Sequence, residues 1–93
     1  MGSYARGGKN MRTFEKRMED CATILEMLRE QKRYTEIIVK TAAKTGSPSK
    51  SLATLMFLLD KQYVERISLG VYKITKSGLR FLEGLKSERE VNR

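Results

Sequence analysis

The chain has 93 residues, a length that allows one small hydrophobic core but not two. It contains one Cys and no His, which excludes a disulfide framework within one chain and His-dependent catalysis, and argues against a Cys/His zinc site. Lys and Arg together number 19 against 11 Asp and Glu, and the resulting net charge of +8 favours a polyanionic partner.

The first segment, residues 1–12, carries three Gly and three basic residues, with no acidic residue and no apolar periodicity. Such a composition is typical of a flexible basic arm. We therefore predict an N-terminal arm over residues 1–12 and one folded domain over residues 13–90.

A first amphipathic helix is predicted from Thr13 to about Glu30. Its apolar residues recur at alternating spacings of four and three, which is a heptad-like seam. The seam residues are Phe14, Met18, Cys21, Leu25 and Leu28. Because further apolar positions widen this surface beyond one stripe, we expect the seam to form a homodimer, with burial inside one chain as the alternative. Cys21 is interpreted as a small core residue rather than a redox thiol.

Two more helices with a tight break between them follow in the chain. Thr35 is the predicted cap of a helix over Glu36–Lys44, which Gly46 ends. Ser47 caps the next helix, predicted over Pro48–Lys61, because Pro is favoured in a first helical turn. These helix-ending and helix-starting residues, together with an excess of Lys over acidic residues, are typical of a helix-turn-helix that faces a polyanion.

The third helix has polar first turns and an apolar second half. One buried face with the i, i+3, i+4, i+7 spacing is formed by Leu52, Leu55, Met56 and Leu59. Phe57 falls opposite this face, so either the first helix or a partner covers it, or the inner face is shifted toward Leu55 and Leu58.

A β-hairpin is predicted after the third helix. Apolar and polar residues alternate over Tyr63–Ser68 and again over Val71–Ile74, which indicates two strands. Leu69 and Gly70 between them form a tight turn, so the strands pair antiparallel. Thr75 then caps a last helix, predicted from Lys76 to about Glu88.

The phrase from Tyr72 to Leu82 has the form Y-x-I-T-x-x-G-x-x-F-L. This phrase, the strand-like run Tyr63-Val64-Glu65-Arg66 and the order of the elements resemble small archaeal winged-helix DNA-binding proteins over about residues 20–86. The resemblance implies an α+β, mainly helical fold, a winged helix-turn-helix with three helices, a short β-hairpin wing and a C-terminal helix. It also implies DNA binding, commonly as a dimer.

We therefore expect a dimeric transcriptional regulator that places the third helix in the major groove of double-stranded DNA. The expected roles are phosphate binding by the helix N-terminus and flanking Lys, base contacts from the first turns, and contacts from the wing. The residues assigned to these roles are Lys40, Lys44, Ser47, Ser49, Lys50, Ser51, Thr54, Arg66 and Lys73. Because the third helix contains no Arg to read guanine, we expect modest sequence specificity and strong salt dependence.

Two alternatives stay open, a winged helix used for protein–protein interaction and an architectural chromatin protein with little sequence specificity. The chain lacks a P-loop and any catalytic constellation, so we expect no enzymatic activity, cofactor, metal or small-molecule ligand. With no apolar run near the roughly 18 residues that span a bilayer and no signal-peptide pattern, we expect a cytoplasmic, nucleoid-associated protein without a membrane partner.

Overall fold

A computed structural model describes the backbone of residues 2–91 and the side chains of residues 15–87. In this part of the chain the fold is α+β and mainly helical, with four helices and a three-stranded antiparallel sheet. The elements are α1 (Gly2–Met27), β1 (Lys32–Arg33), α2 (Tyr34–Thr45), α3 (Pro48–Asp60), β2 (Val64–Ser68), β3 (Val71–Ile74) and α4 (Lys76–Val91). No helix within these limits is long and apolar enough to cross a membrane.

Helix α1 begins at Gly2, eleven positions before the predicted start at Thr13. The segment before Thr13 has no Pro to break a helix, and Ala5, Arg6, Lys9 and Arg12 are good helix formers, whereas its three glycines weaken the helix. The backbone of the predicted arm is therefore helical, while its flexibility stays a prediction. The side chain of Phe14, predicted in the dimer seam, lies outside the described residues.

Strand β1 was not predicted from the sequence. Lys32 pairs with Tyr72 and Arg33 with Val71, so β3 becomes the central strand of the sheet. The next residue, Tyr34, donates its backbone N–H to the carbonyl of Gly70 at 2.7 Å. The start of α2 is thus joined to the turn of the hairpin.

The predicted hairpin is confirmed, with β2 and β3 paired antiparallel. The register places Val64 opposite Ile74, and an irregularity between Arg66 and Ser68 marks a β-bulge. Gly70 has φ 72°, a left-handed conformation that an L side chain rarely adopts, so this glycine permits the tight turn.

The hydrophobic core lies where α1 crosses the other helices. Three α1 side chains and the residue that follows the helix are completely buried within one chain, namely Cys21, Ile24, Leu25 and Leu28. This corrects the predicted dimer contacts of Cys21, Leu25 and Leu28, because their apolar surface is already covered inside the monomer. Met18, also assigned to the seam, is half-buried against the same core.

The inner face of α3 is the shifted one that contains Leu55 and Leu58, both fully buried. Leu52 and Met56, predicted inside, are 37% and 56% exposed. The physical reason is that Ser51 and Thr54 of α3 face inward. Ser51 is hydrogen-bonded there to the Thr41 hydroxyl and Thr54 to the Lys50 carbonyl, so the buried face of α3 is rotated away from Leu52 and Met56.

Helix α4 is attached to the rest of the fold through residues of the Y-x-I-T-x-x-G-x-x-F-L motif. The Thr75 hydroxyl donates to the Gln62 carbonyl at 2.7 Å and accepts from the Gly78 N–H at 3.0 Å, which caps the helix. Phe81 stacks on Tyr63 with ring centroids 4.4 Å apart. The motif therefore holds the start of α4 against Gln62 and Tyr63, the two residues that precede β2.

The pH dependence of stability should contain a signature of Cys21. Burial, with a smaller contribution from the neighbouring Asp20 carboxylate, raises the pKa of this thiol to about 11 from its ordinary value of 9.0. Because the unfolded chain ionises first, the free energy of unfolding should fall by roughly 2 kcal/mol as pH rises from 9 to 11. Urea titrations of the protein and of Cys21→Ala isolate this effect, and parallel pH profiles would contradict it.

Candidate functional site

The junction between α2 and α3 is built by residues that the sequence analysis assigned correctly. Gly46 ends α2 with φ 112°, and its N–H donates to the Ala42 carbonyl at 2.9 Å. Ser47 has an extended backbone, and its hydroxyl oxygen accepts the N–H of Lys50 at 3.2 Å. Ser47 is thus the N-cap of α3. Its hydroxyl and carbonyl oxygens accept the N–H groups of Lys50 and Ser51, and Pro48 has no N–H, so only the Ser49 N–H of this first turn is left for another partner.

A buried hydroxyl network sets the position of α3 on α2. The Ser51 hydroxyl lies 2.8 Å from the hydroxyl of Thr41 and 2.7 Å from that of Thr45. Thr41 also contacts the Ile37 carbonyl at 2.7 Å, and Thr45 contacts the Ser47 carbonyl at 3.0 Å. These directional bonds fix the second helix relative to the third.

Two predicted base-contacting residues are therefore corrected. Ser51 is completely buried in the hydroxyl network, so its side chain cannot reach a base edge. Thr54 is 9% exposed, and its hydroxyl donates to the Lys50 carbonyl at 2.9 Å inside the same helix. Among the predicted first-turn contacts, Ser49 and Lys50 are exposed.

Four basic side chains from three helices line two grooves that share Lys16 and Asp20. We name Lys16, Arg17, Lys44 and Lys50 the basic cluster. Lys16 donates to the Lys44 carbonyl, which ties α1 to the end of α2. Arg17 and Lys50 border one groove of about 250 Å³ between α1 and α3. The Lys50 side chain also packs over Gly46, since a methyl group at Gly46 would lie 3.4 Å from its Cδ.

Two carboxylates accompany the basic cluster. Asp20 is 6% exposed and forms an ion pair with Lys16 at 3.2 Å, so one base is compensated. Glu19 borders the same surface next to Lys44. Among the described side chains, Arg17, Lys44 and Lys50 have no carboxylate oxygen within 4.0 Å, so their charges remain available to an external anion.

Lys16 and Arg17 are site residues that the sequence analysis missed. They belong to the predicted first helix, Thr13 to about Glu30, in which acidic residues outnumber basic ones, so no basic site was expected there. The adjacent Lys-Arg pair was the available signal. Only the packing of α1 on α3 brings these two side chains beside Lys50.

Lys40 lies on α2 with the predicted flanking contacts, but its charge is compensated. Its ammonium group is 3.0 Å from the Glu36 carboxylate, one helical turn earlier. The hydrogen bond from Lys40 lowers the pKa of the Glu36 carboxyl from its ordinary value, because it stabilises the ionised carboxylate. Lys44, by contrast, belongs to the basic cluster.

The two predicted hairpin contacts lie on opposite faces of the sheet. Arg66 pairs with Tyr72, whereas Lys73 pairs with Glu65, and paired residues of neighbouring strands share a face. Arg66 and Lys73 are both exposed. A single flat surface therefore cannot contact both side chains from one side of the hairpin.

The outward surface of α3 is less charged than a basic recognition surface. Its exposed side chains include Ser49, Leu52, Ala53, Met56 and Asp60. Lys50 stands at the edge of this surface, toward α1. The positive charge is thus concentrated at the beginning of α3 and not along its length.

Comparisons of the chain with protein-family models, with curated proteins and with solved structures find no match. The basic cluster can bind an anion, because three bases without carboxylate partners among the described side chains lie on the helices that meet near the start of α3, where the Ser49 N–H has no acceptor among the described residues.

Proposed function

We propose that this chain is a winged-helix protein that binds double-stranded DNA through the basic cluster and the N-terminus of α3. The observation that carries the proposal is that Arg17 and Lys50 line one groove and Lys44 a second, that Lys16 lines both, and that Arg17, Lys44 and Lys50 have no carboxylate partners among the described side chains. The element order, and the strand order β1-β3-β2, support the winged-helix part of the proposal.

In this proposal a DNA phosphate sits at the N-terminus of α3. The Ser47 oxygen already accepts a backbone N–H, which leaves its hydroxyl proton free to donate to a phosphate oxygen. Arg17, Lys44 and Lys50 then contact neighbouring phosphates. Positioned in this way, α3 presents its outward surface to the major groove.

The outward surface of α3 predicts weak discrimination between bases. Ala53 and Met56 can contact thymine methyl groups, and Ser49 can hydrogen-bond to several base edges. The bidentate guanine contact that Arg provides is absent from α3. Affinity should therefore come mainly from phosphates.

Salt-titrated binding to a duplex tests the proposal. Each phosphate contact by a base contributes about −0.9 to the slope of log K against log salt concentration, so three contacts predict a slope near −3. Fluorescence anisotropy with a labelled duplex measures this slope. Absence of binding at low salt would refute DNA binding, and a slope near zero would refute the assigned phosphate contacts.

The ratio of affinities for a selected sequence and for random DNA separates a transcriptional regulator from an architectural protein. Specific regulators bind their sites at least about a thousandfold more tightly than other DNA. Selection from a random-sequence library followed by competition measures this ratio. We propose that the chain is a transcriptional regulator. A ratio near one would instead identify it as an architectural protein.

The homodimer remains part of the proposal, but its contact surface is limited to the seam residues that the core of one chain does not bury. Of the proposed seam, Met18 keeps a partly exposed side chain, and Phe14 precedes it by four residues. We expect light scattering at tens of micromolar to give twice the chain mass of 10.7 kDa. A monomeric mass would refute the homodimer.

A protein–protein interaction module is the second candidate, favoured by apolar side chains on the outward surfaces of the helices. Val39 on α2 is 74% exposed, and Leu52 and Met56 are exposed on α3. A pull-down with the protein and with Leu52→Ser/Met56→Ser discriminates the two candidates. Capture of one defined partner that this variant loses, without DNA binding by either protein, would favour the module.

A further inference from the structure

The turn of the hairpin presents an apolar side chain almost wholly to solvent. Leu69 is 91% exposed, more than any other large hydrophobic residue among the described side chains. Ile67, at the bulge just before the turn, is 42% exposed. The hairpin therefore ends in a small apolar tip, which comprises Ile67 and Leu69.

The backbone beneath this tip is held in place. Val71 pairs with Arg33 of β1, and the Gly70 carbonyl accepts the Tyr34 N–H at 2.7 Å. The left-handed conformation of Gly70 closes the turn directly after Leu69. Leu69 is thus carried on a supported turn, which reduces the conformational entropy that binding would have to remove.

Positive charge flanks the tip on both faces of the hairpin. Arg66 lies on one face, and Lys73 and Arg33 lie on the other, as the strand register shows. Glu65 opposes Lys73 across the strands and is the acidic residue of this hairpin. An apolar tip between bases fits a partner that has an anionic surface with an apolar interior.

The size of the tip decides which such partner fits. A stable protein interface buries about 800 Å² on each side, more than two side chains can supply. A wedge between DNA base steps needs only one or two apolar side chains, and the anionic backbones run along both sides of the minor groove. DNA therefore matches both the area and the charge.

We propose that Leu69 is a wedge that enters the minor groove and partly unstacks one base step. Arg66 and Lys73, on opposite faces of the hairpin, contact the two phosphate backbones that border the groove. The duplex consequently kinks at the hairpin, by an angle on the order of 20–90°. This inference rests on the proposed DNA binding and adds a contact that deforms the duplex.

The test compares the protein with Leu69→Ala, and uses Val39→Ala as the matched control because Val39 is an exposed apolar residue on α2. Energy transfer between dyes at the two ends of a duplex of about 30 base pairs reports the bend, and anisotropy reports affinity. Leu69→Ala should bind about tenfold more weakly and lose the bend, with an unchanged salt slope, since no charge is removed. Val39→Ala should match the original protein.

Each outcome of this test is decisive. Equal bending and affinity for Leu69→Ala and the original protein would overturn the wedge while DNA binding stands. Absence of DNA binding by the original protein would overturn the proposed function and the wedge together. If Leu69→Ala keeps DNA binding and bending but loses binding to vesicles of equal phosphatidylcholine and phosphatidylserine, the tip is a membrane contact and the wedge is wrong. Thermal unfolding of Leu69→Ala should be unchanged, because the side chain contributes little burial.

Discussion

Replacing Gly78 with Ala should destabilise the fold by about 3 kcal/mol, a large share of the roughly 5–15 kcal/mol that stabilises a small domain. A Cβ atom at Gly78 would lie 2.0 Å from the Tyr63 carbonyl oxygen and 2.7 Å from Cγ1 of Ile74. The carbonyl cannot simply retreat, because it accepts the N–H of Thr75 at 3.0 Å. Helix α4 would therefore have to move away from the sheet, and urea denaturation followed by circular dichroism measures the loss.

Gly84 provides the matched control for this substitution, since it lies in the same helix. A Cβ atom at Gly84 would meet no atom within 4 Å. Ala at this position should stabilise the protein by about 0.5–1 kcal/mol, because Ala is the better helix former. Similar changes in the free energy of unfolding from Gly78→Ala and Gly84→Ala would mean that α4 does not pack closely against Tyr63.

Removing the uncompensated charges of the basic cluster should have the largest effect on DNA binding. The triple variant Arg17→Ala/Lys44→Ala/Lys50→Ala should reduce the magnitude of the salt slope by about 2.7, and lower affinity on the order of a hundredfold near physiological salt. The three side chains are exposed, so the fold should persist. Anisotropy titrations at several salt concentrations measure both quantities.

A second triple variant separates local contacts from net charge. Arg29→Ala/Lys76→Ala/Arg80→Ala removes the same number of bases, none of them in the basic cluster. It should change the salt slope by less than about one, because phosphate contacts contribute individually. Equal effects from the two variants would mean that the net charge of the chain, and not the N-terminus of α3, governs binding.

The parts of the fold that the sequence predicted correctly depend on local chemistry. Gly46 and Ser47 occupy the positions where a left-handed conformation and an N-cap are required. The alternating strands and the turn at Gly70 likewise reflect the preferences of adjacent residues. Such features need no knowledge of which distant segments pack together.

The features that were missed depend on tertiary contacts. Strand β1 consists of two basic residues without any strand pattern, and it exists because β3 offers an open edge. Arg17 joins the candidate site only through the packing of α1 against α3. Leu52 and Met56 were predicted inside because periodicity alone did not reveal that Ser51 would find buried hydroxyl partners.

The buried hydroxyl network separates the positioning of α3 from the chemistry of its outward surface. Thr41, Thr45 and Ser51 hold the helix from within, while Ala53 and Met56 lie on the exposed side. Substitutions at Ala53 and Met56 can therefore change the chemistry of this surface without rotating the helix. A library randomised at these two positions should yield mostly folded proteins, so the chain offers a compact starting point for selecting new binding preferences.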